Sequence, residues 1–173
     1  MKELILGGAR SGKSRFAETR ALEGSNKLIY LATASAGDGE MHQRIHHHQE
    51  RRCERWQLHE EGIALADAML QFNDTNTTIL VDCLTLWLSN CMAQNCVEAQ
   101  QQALLETLPR LDCDVFMVSN EVGSGIVPLG QLSRDFVDHS GFMHQALAQL
   151  CERVTLVMAG LPLALKTDLK NKA

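Results

Sequence analysis

The chain has 173 residues, of which 45% are hydrophobic and 21% charged, and its formal net charge is −5 at neutral pH. This length and composition predict one globular domain over residues 1–173, and the acidic balance argues against a general nucleic-acid binder, which normally carries a basic excess. The six cysteines form no Cys-x-x-Cys pair, so a zinc ribbon or a thioredoxin-type motif is not expected. No signal peptide is visible and no stretch nears the ~20 apolar residues of a membrane span. We therefore expect a cytoplasmic protein with reduced thiols.

Short apolar runs alternate with helical patterns along the chain. The runs LIL, LIYLA and TTILVD end at glycines or polar residues, which is typical of buried parallel strands. Strands are expected at residues 4–6, 28–32, 56–59, 77–82, 115–119, 154–158 and 161–166. Helices are expected at residues 14–22, 40–52, 63–72, 84–93 and 98–108. This alternation predicts an α/β fold, a P-loop NTPase-like, mostly parallel sheet flanked by helices, and it is compatible with an antiparallel edge strand at the C-terminal end.

Residues 7–14 read GGARSGKS and fit the pattern G-x-x-x-x-G-K-[ST] between a strand and a helix. Gly7 and Gly12 would permit backbone conformations in which successive N–H groups point at phosphate oxygens, and the helix N-terminus adds a positive dipole end. Lys13 would reach the β- and γ-phosphates, and Ser14 would bind Mg²⁺. A glycine-rich turn with a chance lysine is the alternative, but the strand–loop–helix context favours a nucleoside triphosphate site.

Asp82 closes the predicted strand at residues 77–82. A P-loop is normally accompanied by an acidic residue at the end of a nearby strand, which helps to hold Mg²⁺. The same aspartate could instead cap the helix that follows from Leu84, and the two roles are compatible. We expect Ser14 and Asp82 to be the metal-binding residues.

The stretch RIHHHQERR at residues 44–52 places His46, His47 and His48 side by side. On a helix, successive side chains point about 100° apart, so the three cannot share one small site. His42 and His46, four residues apart, have better metal geometry, but no spacing singles out further ligands. The candidates for such ligands would be His59, Glu40 and Glu50.

Two other interpretations of this stretch stay open. It could be a solvated basic face, as charge runs usually are. Alternatively, a histidine beside a nucleotide could attack phosphorus and form a covalent phosphoramidate, since imidazole is mostly neutral near neutral pH. Arg44, Arg51 and Arg52 would then stabilise phosphate charge.

Four segments in order resemble one known family. The segments GGARSGKS, EMHQRIHHHQERRCERW, LVDCLTLWLSN and NEVGSGIVP together resemble the bifunctional adenosylcobinamide kinase / adenosylcobinamide-phosphate guanylyltransferase of cobalamin synthesis. The resemblance covers residues 1 to about 166. It implies phosphorylation of adenosylcobinamide by ATP or GTP with Mg²⁺, then transfer of GMP from GTP through a guanylylated histidine, which this pattern places at His47. It also implies a homotrimer, whereas the expectations of no nucleic-acid partner and no membrane span rest on the net charge and the short apolar runs.

The resemblance further implies a set of residues that contact the nucleotide. Glu60 has its own logic, because a carboxylate can accept paired hydrogen bonds from guanine, although it could equally be a solvated acid beside Glu61. The segment at residues 120–123 follows a strand, where α/β sheets place ligands, although glycine turn chemistry explains much of it. The implied contacts are Gly7, Gly8, Ala9, Arg10, Ser11, Gly12, Lys13, Ser14, Ala32, Thr33, Ala34, His48, Gln49, Glu50, Arg51, Glu60 and Asp82.

One segment departs from the family pattern. The family tends to carry Gly-Arg-x-Asn-Gln before its last long helix, whereas this chain has Gly141-Phe142-Met143-His144-Gln145. The departure bears on substrate-side or subunit-interface contacts and on the kinase half, and it leaves the guanylyl-transfer residues untouched. The competing functions are a regulatory P-loop ATPase or switch, a kinase without nucleotidyl transfer, and a zinc-binding module built on His42 and His46.

Overall fold

A seven-stranded sheet organises residues 1–24, 27–34 and 55–167, which are the residues that the computed structural model describes. The strands are β1 (Lys2–Gly7), β2 (Lys27–Ala32), β3 (Trp56–Glu60), β4 (Thr77–Asp82), β5 (Asp114–Asn120), β6 (Arg153–Met158) and β7 (Leu161–Lys166). Their order across the sheet is β3-β2-β4-β5-β1-β6-β7, and all neighbours are parallel except β6 and β7. The predicted α/β class and the antiparallel edge strand are therefore confirmed.

Helices connect the parallel strands. They are α1 (Lys13–Leu22), α2 (Leu65–Gln71), α3 (Leu84–Ala93), α4 (Val97–Thr107), which continues into a 3₁₀ turn (Leu108–Arg110), and α5 (Gln131–Leu150). The predicted helix at residues 40–52 lies outside the described residues. Within the described ranges, no helix is long and apolar enough to cross a membrane.

The central strands of the sheet are buried on both faces, as parallel strands usually are, whereas the edge strands β3 and β7 are mostly exposed. One face of the sheet packs on α1, whose Ala17 and Ala21 are small enough to lie close to the strands. The strand residues on this face of the sheet include Ile5, Leu80 and Phe116. The other face packs on the remaining helices. Its core includes Leu4, Ile29, Ile79, Val115, Trp87, Leu104 and Leu147.

Helix α5 corrects two aspects of the sequence interpretation. The sequence predicted no helix at residues 131–150, and it placed Gly141 to Gln145 before the last long helix, whereas these residues lie inside it. Ser140, Met143 and Leu147 form the buried side of α5. A serine at one of these three positions and a glycine beside it weaken the apolar periodicity on which helix prediction depends.

The carboxyl ends of the parallel strands meet at one edge of the sheet, which is where α/β sheets bind ligands. Gly7, Ala32, Glu60, Asp82 and Asn120 are the last residues of β1, β2, β3, β4 and β5. The fold therefore brings four separate sequence segments to the edge from which the GGARSGKS loop starts.

Candidate functional site

The GGARSGKS loop joins β1 to α1 with a left-handed backbone at two points. Arg10 has a φ of 55°, and Gly12, directly before the helix, has a φ of 94°. A Cβ added at Gly12 would lie 3.3 Å from the Gly160 Cα, so both backbone conformation and space favour glycine there. Among the described residues, no side chain caps the start of α1. Its first backbone N–H groups are therefore suited to an anion.

Gly7 is required for a different reason from the one predicted. Its backbone is not left-handed, but an added Cβ would lie 2.4 Å from the Val157 carbonyl oxygen and 2.5 Å from the Ser11 Oγ. The loop therefore passes so close to β6 that no side chain fits at this position. The expectation that Gly7 supplies an unusual backbone conformation was wrong, although the need for glycine holds.

Two polar groups inside the loop fit a phosphate. Lys13 is only 8% exposed, and its Nζ donates a hydrogen bond to the Gly8 carbonyl oxygen at 3.2 Å. The buried Ser11 Oγ has no hydrogen-bond partner among the described residues. A buried ammonium and an unpaired buried hydroxyl are both costly unless a further partner is bound. Together with the helix N-terminus, they form a cradle with the chemistry of a phosphate site.

Three predicted nucleotide contacts lie side by side at the carboxyl edge. Ala32 is paired with Glu60 on one side and with Asp82 on the other. Because neighbouring strands are about 4.8 Å apart, Glu60 and Asp82 lie on the order of 10 Å apart across β2. Glu60 is exposed and Asp82 is half-buried. The arrangement can present two carboxylates to one ligand, the aspartate nearer to the P-loop strand.

Asp82 is fixed by a contact that the sequence did not suggest. Its Oδ2 accepts a hydrogen bond from the Tyr30 hydroxyl at 2.8 Å. The expectation that Asp82 might cap α3 was wrong, because the residue at the N-cap position is Cys83. Tyr30 was assigned only to an apolar strand, although its position two residues before Ala32 places it on the same face of β2.

Thr33 and Ala34 follow β2 directly. Thr33 is fully buried, and its hydroxyl donates to the Cys83 carbonyl oxygen at 2.7 Å and accepts from the Cys83 N–H at 2.9 Å. This side chain therefore holds the turn after Asp82 in place, and its hydroxyl is engaged there. Ala34 is half-buried and ends the described segment.

Cys83 is a buried thiol that is affected by the charges of both Asp82 and Lys13. Burial raises the pKa of its thiol, the Asp82 carboxylate raises the pKa further, and Lys13 acts in the opposite direction more weakly. A neutral thiol is a poor nucleophile and a poor metal ligand. We therefore assign Cys83 to the core beneath the site.

The loop that follows β5 lies against the P-loop. The Glu121 N–H donates to the Gly7 carbonyl oxygen at 3.1 Å, and the Glu121 Oε1 accepts from the Gly123 N–H at 2.7 Å. The Asn120 side chain donates to the Thr85 Oγ1 at 3.1 Å. These contacts place this part of NEVGSGIVP beside the phosphate cradle, as its position after a strand predicted.

The remaining candidates lie outside the described residues. These are His42, His46, His47, His48, Gln49, Glu50, Arg51 and the neighbouring Glu40, Arg44 and Arg52. Within residues 1–24, 27–34 and 55–167, no group of three or more His, Cys, Asp or Glu side chains is placed to hold a metal ion. His59 instead packs edge-on against Phe72, with ring centroids 5.1 Å apart.

His144 has an internal partner. Its Nε2 lies 2.7 Å from the Oγ of Ser119, which is fully buried at the end of β5. Burial lowers the pKa of His144, and Glu121 opposes this shift more weakly. The imidazole at this position therefore helps to join α5 to β5 in its neutral form.

We expect His144 to make the fold sensitive to acid. A histidine whose pKa is lowered by folding takes up a proton more readily when unfolded, so its contribution is present above about pH 6.5 and is lost as the pH falls below that value. Between pH 7.5 and 5.5, the wild-type urea midpoint should fall more than that of His144→Asn. His139→Asn, on the same helix, controls for the loss of a histidine as such. Equal falls in wild type and His144→Asn would contradict this prediction.

Comparisons with known proteins agree with the geometry. A family model described as cobinamide kinase / cobinamide phosphate guanyltransferase matches residues 3–165. A Pseudomonas aeruginosa protein named bifunctional adenosylcobalamin biosynthesis protein CobP is 51% identical over 171 residues, covering 97% of this chain and 99% of that protein. An Escherichia coli protein named bifunctional adenosylcobalamin biosynthesis protein CobU is 35% identical over 183 residues, covering 96% of this chain and all of that protein.

Solved structures share the fold at low identity. A Pyrococcus horikoshii protein has a TM-score of 0.59 at 8% identity, covering 99% of this chain and 88% of that one. An ATPase from a bacterial type III secretion system has a TM-score of 0.53 at 12% identity, covering 90% of this chain and 50% of that one. Identities this low support the P-loop NTPase-like architecture alone.

Proposed function

Because this chain belongs to the cobinamide kinase / cobinamide phosphate guanyltransferase family, we propose that it phosphorylates adenosylcobinamide and then guanylylates the product through His47. The observation that carries the proposal is the phosphate cradle around Lys13, placed at the same sheet edge as Glu60 and Asp82. In this proposal, one nucleotide site serves both transfers.

The P-loop residues have separate tasks in this proposal. The Lys13 ammonium and the backbone N–H groups of the loop bind the β- and γ-phosphates, and Ser11 supplies a further buried hydroxyl. Ser14 is the second residue of α1 and Asp82 is the last residue of β4, and a hydroxyl and a carboxylate at these positions would fit the Mg²⁺ ion of a P-loop site. When bound, Mg²⁺ would neutralise charge on the phosphates.

The proposal comprises two reactions. In the first, the hydroxyl of the aminopropanol arm attacks the γ-phosphorus of ATP or GTP, the nucleoside diphosphate leaves, and the hydroxyl proton passes to solvent. In the second, a neutral nitrogen of His47 attacks the α-phosphorus of GTP and pyrophosphate leaves. A phosphate oxygen of adenosylcobinamide phosphate then displaces His47, which gives adenosylcobinamide-GDP.

Glu60 is proposed to select guanine. A carboxylate can accept one hydrogen bond from the guanine N1–H and one from the exocyclic amino group, whereas adenine offers no such pair of donors. The exposed position of Glu60, two strands from Asp82, supports this role. His48, Gln49, Glu50 and Arg51 are proposed to complete the nucleotide contacts next to His47.

Labelled GTP tests the proposal directly. Incubation with GTP labelled at the α-phosphate should give a covalent adduct that is labile in acid and stable in alkali, as a phosphoramidate is. A regulatory ATPase or a kinase without nucleotidyl transfer would give no adduct, and a zinc module would instead bind stoichiometric zinc. Label from ATP but not from GTP would contradict the guanine preference.

We also propose a homotrimer, and exposed apolar side chains on edge strand β7 support it. Leu161, Leu163 and Leu165 are 72%, 59% and 55% exposed, beside Met158 at 68% and with Phe142 of α5 also 68% exposed. A set of exposed side chains this apolar is typical of a protein interface.

A trimer of the 19.2 kDa chain is expected in sedimentation equilibrium. Leu163→Glu should shift the protein towards monomer, because a buried unpaired carboxylate is costly at an interface. Leu70→Glu is the matched control, since Leu70 is 49% exposed but lies on α2, which follows the opposite edge strand. A wild-type monomer, or equal mass changes in the two variants, would contradict the proposed interface.

A further inference from the structure

Tyr30 is the one tyrosine of the chain and lies in the middle of β2, where the sequence reads as a purely apolar run. It is 2% exposed and belongs to the buried cluster on the α1 face of the sheet. Its hydroxyl donates to the Asp82 Oδ2 at 2.8 Å. A buried phenol needs a polar partner, and this one has a carboxylate that is itself predicted to bind the metal–nucleotide complex.

The Tyr30 ring is held from the far side by Trp56 of β3. The two rings meet edge to face, with centroids 5.7 Å apart and planes at 86°. In register, Tyr30 lies between Leu58 of β3 and Leu80 of β4. Tyr30 is two residues before Ala32, which is paired with Asp82, so the Tyr30 and Asp82 side chains lie on the same face of the sheet. The Tyr30 phenol therefore extends from the buried core to the Asp82 carboxylate at the carboxyl end of β4. The contact with Trp56 restricts rotation of the ring.

We propose that Tyr30 is a positioning residue that fixes the Asp82 carboxylate for the metal–nucleotide complex, an inference that rests on the proposed function. The phenol engages Oδ2, and we expect Oδ1 to be the oxygen that faces the ion. A carboxylate held by a rigid donor loses less rotamer freedom when the ion binds, and hydrogen bonds that support a metal ligand in this way typically contribute about 10–100-fold to metal affinity. Tyr30 does not itself touch the nucleotide.

This role predicts that Tyr30 acts only on the part of nucleotide binding that depends on the metal. Tyr30→Phe keeps the ring that packs on Trp56 and removes only the hydroxyl. The probe is guanosine α,β-methylene triphosphate, which cannot be cleaved by guanylyl transfer, so that equilibrium binding is measured without turnover. We expect its dissociation constant with Mg²⁺ to rise about 10-fold, and the Mg²⁺ concentration at half-saturation to rise about 10- to 100-fold. In excess EDTA, the dissociation constant should stay within about 2-fold of wild type.

Two further variants separate positioning from packing. In an Asp82→Asn background, Tyr30→Phe should cause no additional loss of Mg²⁺-dependent binding, because the group through which it acts is gone. Trp56→Leu, which keeps the hydroxyl but frees the ring, should give a smaller loss in the same direction. This second variant also keeps the inference testable if Tyr30→Phe does not fold, which urea unfolding would reveal.

Three outcomes would overturn the inference. They are unchanged Mg²⁺ dependence in Tyr30→Phe, an equal loss of affinity with Mg²⁺ and with EDTA, and additive losses in the double variant. The proposed function fails in a distinguishable way: if Asp82→Asn retains full Mg²⁺ dependence, then Asp82 is not a metal-site residue, whatever Tyr30 does.

Discussion

His47→Ala protein is expected to take up no label from GTP labelled at the α-phosphate, while it still binds GTP. The reason is that alanine has no nitrogen to attack phosphorus, whereas the Lys13 ammonium and the P-loop backbone that bind the phosphates are unchanged. Because no covalent intermediate can form without the nucleophile, we expect the label retained on the protein to fall below the detection limit. The measurement is retained radioactivity on denatured protein, with GTP affinity followed in parallel.

The neighbouring histidines provide matched controls for this experiment. The sequence predicts a helix at residues 40–52, in which successive side chains would point in different directions, so we expect only one of His46, His47 and His48 to be aligned with a given phosphorus atom. His46→Ala should retain the label, and His48→Ala should retain it at a reduced rate if His48 contacts the nucleotide. Label that survives in His47→Ala but is lost in either neighbour would move the nucleophile by one position.

The central strands were predictable because they are parallel and buried on both faces. TTILVD is β-branched, continuous in its hydrophobicity and bounded by polar residues, and β4 spans the residues predicted, Thr77–Asp82. Helix α3 also has the predicted bounds. The failure at α5 has a local cause: Ser140 lies on the buried side with its hydroxyl unpaired among the described residues, where a pattern search expects an apolar residue.

The site was predictable in its motifs but not in its internal contacts. GGARSGKS specifies a phosphate loop because its spacing allows few other structures, and the register then places Glu60, Ala32 and Asp82 together. Sequence alone gave no pairing between β2 and β4, which are separated by β3 and α2 along the chain. Without that pairing, the hydrogen bond from Tyr30 to Asp82 could not be foreseen.

Gly7→Ala is expected to weaken the nucleotide binding on which both proposed reactions depend. The added Cβ would need to occupy space 2.4 Å from the Val157 carbonyl oxygen and 2.5 Å from the Ser11 Oγ. Because the first of these atoms belongs to the backbone of β6, it cannot rotate away, and the loop itself has to move. Overpacking of this kind typically costs about 1–3 kcal/mol. We expect the urea midpoint to fall and the dissociation constant for a GTP analogue to rise at least ~10-fold, which is ~1.4 kcal/mol.

Gly8→Ala is the matched comparison, because it makes the same chemical change one residue later in the same loop. An added Cβ at Gly8 meets no atom within 4 Å, and its φ is not in the left-handed region. Its loss of stability and of nucleotide affinity should therefore be clearly smaller than that of Gly7→Ala. If the two variants bind the GTP analogue equally well, then the close approach of Gly7 to the β6 backbone does not determine nucleotide affinity. In that case the absence of a side chain at Gly7 would not be required for the phosphate site.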